Sequence, residues 1–292
     1  MALCGRCGWT AGGVSVRHTH CFGGEEQDSF DVTVVSLPGY GFSSKPQRPM
    51  GPQKIGELMN QLMTQVLGYE NYLVQGGDWG GYIASRMGFD HAQNIKGIHS
   101  NSFMVRHAGA ALGSGQVGTD KPTAAESAFV QKEQQGFFME GGYSIIQGTR
   151  PQTLSYAMMD SPIGVAAWII EKFHGWSDQK QKSFEKVFSL DQLITEAMIY
   201  LVTDTFNTAS WIYAAYQQEG SSTLPEGKRV EVPVAFAAYP DPAFAPPPRS
   251  FMERSHNVTQ WTDMPHGGHF PFLEVPDLYL EDVRRFARTL RE

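Results

Sequence analysis

The run Gly76-Gly77-Asp78-Trp79-Gly80-Gly81 constrains this chain more than any other. An apolar stretch, Tyr72-Leu73-Val74-Gln75, leads into it, and a helix-forming stretch from Tyr82 to Met87 leaves it. The pattern predicts a strand, a sharp turn and a helix, with small residues two before and two after a central side chain. Such a turn forces the strand and helix backbones together and lifts the central side chain outward. That side chain is Asp78. A carboxylate cannot usefully acylate itself, but it can attack an sp³ carbon and form an alkyl ester. This chemistry suits epoxides or alkyl halides rather than peptides or ordinary esters. The plainer alternative is a glycine-rich turn in which Asp78 only caps the helix.

The surrounding pattern alternates. Phe30 to Ser36 reads as a buried strand, followed by a turn-rich loop, Leu37-Pro38-Gly39-Tyr40-Gly41-Phe42-Ser43. Pro52 can open a helix. Ile55, Leu58, Met59, Leu62, Met63, Val66 and Leu67 then recur at helical spacing up to Gly68. Ile95 to Ser100 is another strand. Strand and helix in alternation predict an α/β fold, a parallel sheet flanked by helices. The pattern changes after Val105. A linker rich in Gly, Ala, Ser and Thr runs to about Ala125, and the chain then reads as helical to about Glu219. Val230 to Ala238, interrupted by Pro233, restores the strand pattern, and Asn257 to Met264 adds a strand. Pro276 opens a last helix with Leu278, Val283, Phe286 and Leu290 on its apolar side. The expected organisation is an irregular segment over 1–29, a core over 30–105 and 230–292, and an inserted helical cap over 106–229.

Composition narrows the partners. The 292 residues are 41% hydrophobic and 12% aromatic, enough for a sizeable core. A formal charge of −7 disfavours nucleic acid and offers no basic face to anionic lipid. No run of about 18 apolar residues occurs, so no membrane span is expected. With no charged-then-apolar leader, the default location is cytoplasmic. The three cysteines, Cys4, Cys7 and Cys21, with His18 and His20, superficially resemble a zinc knuckle. The segment lacks apolar periodicity, so an irregular N-terminus is the preferred reading, and neither metal nor organic cofactor is expected.

An alkyl ester needs an activated water beside it, a task suited to histidine. Of the nine histidines, His269 in Pro265-His266-Gly267-Gly268-His269-Phe270 is the informative one. It sits between the last strand and the last helix, where flanking glycines permit a tight loop. His266 is a decoy of the same type. A carboxylate following the strand Val232 to Ala238 would orient the imidazole, and Asp241 in Tyr239-Pro240-Asp241-Pro242 fits; a simple Asp-Pro turn is the alternative.

These motifs carry a resemblance. Ser36 to Ser43, Gln75 to Gly80 and Gly267 to Phe270 resemble the microsomal-type epoxide hydrolases, a branch that includes insect juvenile-hormone and fungal enzymes. Gly142 to Pro151, Asp160 to Gly164, Glu171 to Phe173 and Phe188 to Asp191 are similar to that family's cap motifs. The resemblance implies an α/β-hydrolase fold with a helical cap, hydrolysis of an apolar epoxide to a vicinal diol through an aspartyl ester, and no cofactor. It implies Asp78 as nucleophile, His269 as base, and two cap tyrosines on the epoxide oxygen at the positions of Tyr143 and Tyr213. The Trp79 backbone N–H would be half of an oxyanion hole. Phe137, Phe138, Trp168 and Trp211 are expected to line the cap, which suits an aryl or lipid-like substrate.

The chain also departs from the family. The His-Gly-x-Pro loop that supplies the other oxyanion N–H has at best a remnant in Cys7-Gly8-Trp9-Thr10, and the N-terminal strands look incomplete. Aligned on Pro248 to Phe251, the family's acid falls on Ala243, two residues after Asp241. The nearest rival is a haloalkane dehalogenase, which shares the Asp-Trp elbow but uses a Trp/Asn pair for halide. A non-catalytic remnant of the fold is the rival from another class.

Overall fold

A computed structural model describes residues 14–18, 28–102, 104–112 and 118–291. Cys4, Cys7, His20, Cys21 and the Cys7–Thr10 run lie outside the described residues.

Two strands, β1 (Val14–His18) and β2 (Asp31–Val35), pair antiparallel. This corrects the expectation for Phe30 to Ser36. Asp31 and Val32 are exposed, and β2 belongs to this hairpin-like pair rather than to the main sheet. Asp31 and Thr33 alternate with valines, the pattern of a half-covered strand rather than one buried on both faces.

Helix α1 (Pro52–Gln61) follows, with proline in its first turn and Ile55 buried. Its continuation over Leu62–Val66 is a π-helical turn in which the Leu67 N–H reaches back to the Leu62 carbonyl at 3.0 Å. Gly68, at φ +77°, ends it as expected. Strand β3 (Tyr72–Gly76), helix α2 (Trp79–Asp90) and strand β4 (Ile95–Ser100) come next.

Among the described residues, seven helices then intervene before the sheet resumes: α3 (Ala124–Glu140), α4 (Gly142–Thr149), α5 (Pro151–Met159), α6 (Pro162–Trp176), α7 (Phe184–Val187), α8 (Leu190–Val202) and α9 (Phe206–Glu219). The first carries a reciprocal cap in which Thr123 and Glu126 satisfy each other's backbone N–H groups. The chain returns through β5 (Val230–Ala238), α10 (Arg249–Glu253), β6 (His256–Asp263), α11 (Pro271–Glu274) and α12 (Pro276–Thr289).

Strands β3, β4, β5 and β6 form one parallel sheet in that order. Pro233 has no N–H to donate, and the β5–β6 register shifts between Val230 and Pro233. Ile83, Ala84 and Met87 of α2 pack on Ile98, Val230, Val232 and Val234 to make the main core. A smaller core of Val165, Ala197 and Phe206 holds the inserted helices together. The two ends of the insertion are stitched to each other. The Arg106 N–H donates to the Ser222 carbonyl at 3.0 Å, the Leu224 N–H to the Arg106 carbonyl at 2.7 Å, and the Arg106 guanidinium pairs with Glu133 of α3.

The consequence for chemistry is positional. Asp78 follows β3, Asp241 follows β5 and His269 follows β6, all at the carboxyl ends of parallel strands. In open α/β sheets those ends are where sites form.

Candidate active site

Asp78 sits at φ +51°, a left-handed conformation uncommon for a residue with a Cβ. The turn imposes it. A Cβ at Gly76 would lie 2.1 Å from the Gly80 carbonyl oxygen, so the strand touches the helix backbone there. The glycine two residues after Asp78 behaves differently: a Cβ at Gly80 would meet nothing within 4 Å. Only the first of the two expected small residues is therefore demanded by space. Gly76→Ala is expected to cost about 3 kcal/mol or more, read as a fall in thermal midpoint, whereas Gly80→Ala should change it far less.

The elbow points Asp78 at His269. Asp78 Oδ2 lies 2.9 Å from His269 Nε2, and its Oδ1 accepts the Trp79 N–H at 2.6 Å. On the far side of the imidazole, Nδ1 is 2.7 Å from Asp241 Oδ2. Asp241 spans the two-residue offset because its other oxygen accepts the Ala243 and Phe244 N–H groups, at 2.8 and 3.0 Å. Those bonds fold the loop back so that Asp241, not the position of Ala243, faces the ring. His266 makes no such contact; His269 is the buried one, at 6% exposure.

Electrostatics follow from this line of three groups. Burial works against an imidazolium at His269, but the Asp241 and Asp78 carboxylates outweigh it and push its pKa up to about 10. Burial likewise raises the Asp78 carboxyl, yet the hydrogen bond and charge of His269 and the Trp79 N–H bring it below the usual carboxylate range.

Beside Asp78 is a cavity of about 150 Å³ lined by Leu37, Tyr40, Asp78, Trp79, Tyr200 and Tyr213. A volume of about 150 Å³ is one that accommodates benzene. The two tyrosines singled out in the sequence face each other, ring centroids 5.8 Å apart at 84°. They are not equivalent. Tyr213 is on the cavity wall, edge-on to Trp79 at 4.8 Å, whereas Tyr143 is off that wall, between Tyr213 and Trp176. Burial first, and the Asp78 carboxylate among the further causes, raises the pKa of both phenols, so each keeps its proton at neutral pH.

The expected aromatic lining needs correction. Phe138 is 85% exposed, Trp168 packs on Phe206 inside the insertion, Trp211 hydrogen bonds to Asn207, and Phe137 is likewise absent from the cavity wall. Besides Trp79 and Tyr213, the aromatic walls are Tyr40, from the Leu37–Ser43 loop, and Tyr200 on α8. Tyr40 lay within a recognised motif; nothing local in the sequence marks Tyr200.

The Trp79 N–H expected at an oxyanion is on Asp78's own carboxylate. It would thus already be in place beside an ester formed there. Among the described residues, no helix is long and apolar enough to cross a membrane.

The chain has the α/β-hydrolase fold, and the model of the α/β-hydrolase fold family matches its residues 12–121. Its sequence is similar to those of several epoxide hydrolases. It is 32% identical over 276 residues to juvenile hormone epoxide hydrolase 1 of Ctenocephalides felis, a match covering 90% of this chain and 59% of the relative. It is 30% identical over 282 residues to epoxide hydrolase 1 of Sus scrofa, covering 91% and 62%. The crystal structure of the juvenile hormone epoxide hydrolase of the silkworm Bombyx mori superposes with a TM-score of 0.70 at 26% identity, covering 90% of this chain and 61% of that one. The chain thus spans about three fifths of the length of these relatives.

Proposed function

We propose that this protein hydrolyses small apolar epoxides to vicinal diols through an ester on Asp78. The observation that carries the reading is the line Asp78–His269–Asp241, two carboxylates on opposite nitrogens of one imidazole, beside a cavity walled by Tyr213. The helical insertion over 106–229 is read as the cap that supplies both tyrosines.

In the first step Asp78 Oδ attacks a ring carbon. The C–O bond to that carbon breaks, its electron pair goes to the epoxide oxygen, and that oxygen takes a proton from a tyrosine hydroxyl. The ester no longer bears Asp78's negative charge, so one of the two carboxylates that hold the proton on His269 is gone. The imidazolium can then return a proton to the phenolate through solvent and become a base. In the second step it removes a proton from water and the hydroxide attacks the Asp78 ester carbonyl; the acyl C–O bond breaks, the departing alkoxide takes the proton of the new carboxyl, and the diol leaves with the Asp78 carboxylate and the His269 imidazolium restored. Asp241 fixes the tautomer throughout.

Diol formation from styrene oxide by the purified chain tests the reading; a cooperatively folded chain that forms no diol would overturn it. Tyr213 lines the cavity and Tyr143 stands behind it, which gives an asymmetric expectation. Tyr213→Phe should lower kcat by about 10²–10³, a loss typical of an oxyanion donor, and Tyr143→Phe by less, with little change in thermal midpoint for either.

A second reading has one observation in its favour: the buried Trp79 indole N–H, beside the Tyr213 hydroxyl, makes no hydrogen bond of ordinary geometry among the described residues, a donor that a leaving halide could use. Halide release from a bromoalkane faster than diol formation from an epoxide would favour a dehalogenase.

A further inference from the structure

The loop that presents His269 is held in an unusual way. Four consecutive backbone N–H groups each have a partner, and none of the four partners belongs to the sheet. The Gly267 N–H donates to Asp178 Oδ2 at 3.0 Å, and the Gly268 N–H to Glu274 Oε2 at 2.9 Å. The His269 N–H donates to the Trp176 carbonyl at 2.9 Å, and the Phe270 N–H to Glu274 Oε1 at 2.8 Å. Glu274 Oε2 also accepts the Asp178 N–H at 2.7 Å. One carboxylate therefore grips the loop twice and the end of the cap once.

Sterics agree with the hydrogen bonds. Gly267 adopts φ +105°. A Cβ on Gly268 would stand 2.6 Å from the Trp176 carbonyl oxygen and 2.7 Å from the Asp178 nitrogen. The loop lies directly on the segment 176–178 that leaves α6, with no room for a side chain between. The Trp176 indole packs edge-on to the His269 ring at 4.9 Å.

Glu274 and Asp178 are 4% and 8% exposed, and nothing in the reaction described above uses them. Burying a carboxyl is costly unless it is well hydrogen-bonded. Burial raises the Glu274 carboxyl first, with the Asp241 charge adding to it, while the three N–H donors pull it back. A carboxyl kept in such a place serves what it holds, and it holds the base.

We infer that Glu274, assisted by Asp178, is a positioning residue for the second half of the reaction, fixing the His269 loop to the cap so that the imidazole is aimed at the water that cleaves the ester. The inference rests on the reaction proposed above. It separates the two steps: ester formation needs Asp78 and a tyrosine, whereas ester hydrolysis needs His269 in place. Glu274→Gln keeps the volume but presents an NH₂ where backbone N–H groups need an acceptor.

The experiment is rapid-quench intact-mass analysis of the full chain mixed with styrene oxide, for wild type, Glu274→Gln, Asp178→Asn and His269→Gln. In Glu274→Gln, ester formation should change by less than about 3-fold while ester hydrolysis slows about 10- to 100-fold. The protein carrying one substrate mass then accumulates, and kcat and KM fall together. Asp178→Asn, which removes a single bond to the loop, should shift the same ratio by about 3- to 10-fold, and it carries the test if Glu274→Gln does not fold. A purely structural role predicts a lower thermal midpoint with both steps equally slowed, or neither, and that result in the folded variants overturns the inference. If His269→Gln also yields no ester, the proposed reaction falls, and the inference with it.

Discussion

Asp78→Asn is expected to lower diol formation by about 10⁴-fold or more, the largest effect of any single change in this protein. The amide is isosteric, and its oxygen can still accept the Trp79 N–H that now sits 2.6 Å from the Asp78 carboxylate, so the elbow should survive. Its nitrogen lone pair is delocalised and cannot open the ring. Steady-state turnover of styrene oxide reads the effect, and retained rates would remove Asp78 from the reaction. The same variant has a second signature. Asp78 supplies both a hydrogen bond and a charge to the His269 imidazolium, so in Asp78→Asn the His269 pKa should fall below its wild-type level near 10, as read by NMR titration. Stability should follow. The folded pKa of His269 is raised above its ordinary 6.5, so its contribution is complete below about pH 6.5 and fades as pH climbs toward about 10. Asp78 is lowered from 3.8, so its contribution is present above that value and fades as pH falls below it. Between these limits the pair contributes fully. The difference in thermal midpoint between wild type and Asp78→Asn should shift most in favour of wild type near pH 5 to 6 and least near pH 10.

What could be read from the sequence depended on how local each signal was. The Asp78 turn and the His269 loop are set by their own neighbours: Gly76 must admit the Gly80 carbonyl, and Gly267 must take a left-handed φ. Both were legible, as was the parallel sheet, because strand–helix alternation is a short-range pattern. Asp241 was legible only as a candidate, since its reach depends on the bonds it makes to Ala243 and Phe244. The cavity wall was less legible. Phe138 and Trp168 look like lining residues by type, but which helix face meets the sheet is fixed by how seven helices pack. Tyr200 faces the cavity because α8 packs on α6 in one particular rotation. Glu274 and Asp178 gave no signal at all. A carboxylate whose work is to accept backbone N–H groups from a loop 89 residues away, as Asp178 does for Gly267, has no mark in sequence. The hydrophobicity of Phe30 to Ser36 suggests a buried strand, whereas the alternation over Asp31–Val35 already describes a half-exposed one.

His269→Gln is the counterpart of the Asp78 variant and should stop the reaction at the opposite point. Glutamine fills much of the imidazole's space but cannot take a proton from water, so turnover should fall by about 10³- to 10⁴-fold. The first step should persist, because the nucleophile and Tyr213 are untouched. Mixing this variant with excess styrene oxide should therefore convert the protein to a species heavier by one substrate, with the added mass on the peptide that contains Asp78. Loss of turnover with no adduct would mean that water attacks the epoxide directly and Asp78 acts as a base. A single turnover of wild type in ¹⁸O-labelled water separates the same alternatives without a mutation. Through the ester, the diol's new oxygen is the old Asp78 oxygen and is unlabelled, while label enters the carboxylate. By direct attack the diol is labelled at once. The geometry favours the first outcome for a reason beyond distance. An imidazolium held at high pKa by two carboxylates is the wrong species to activate water in the resting protein. In the proposed reaction, esterification of Asp78 removes one of those charges, so the base would be switched on at the moment there is an ester to cleave.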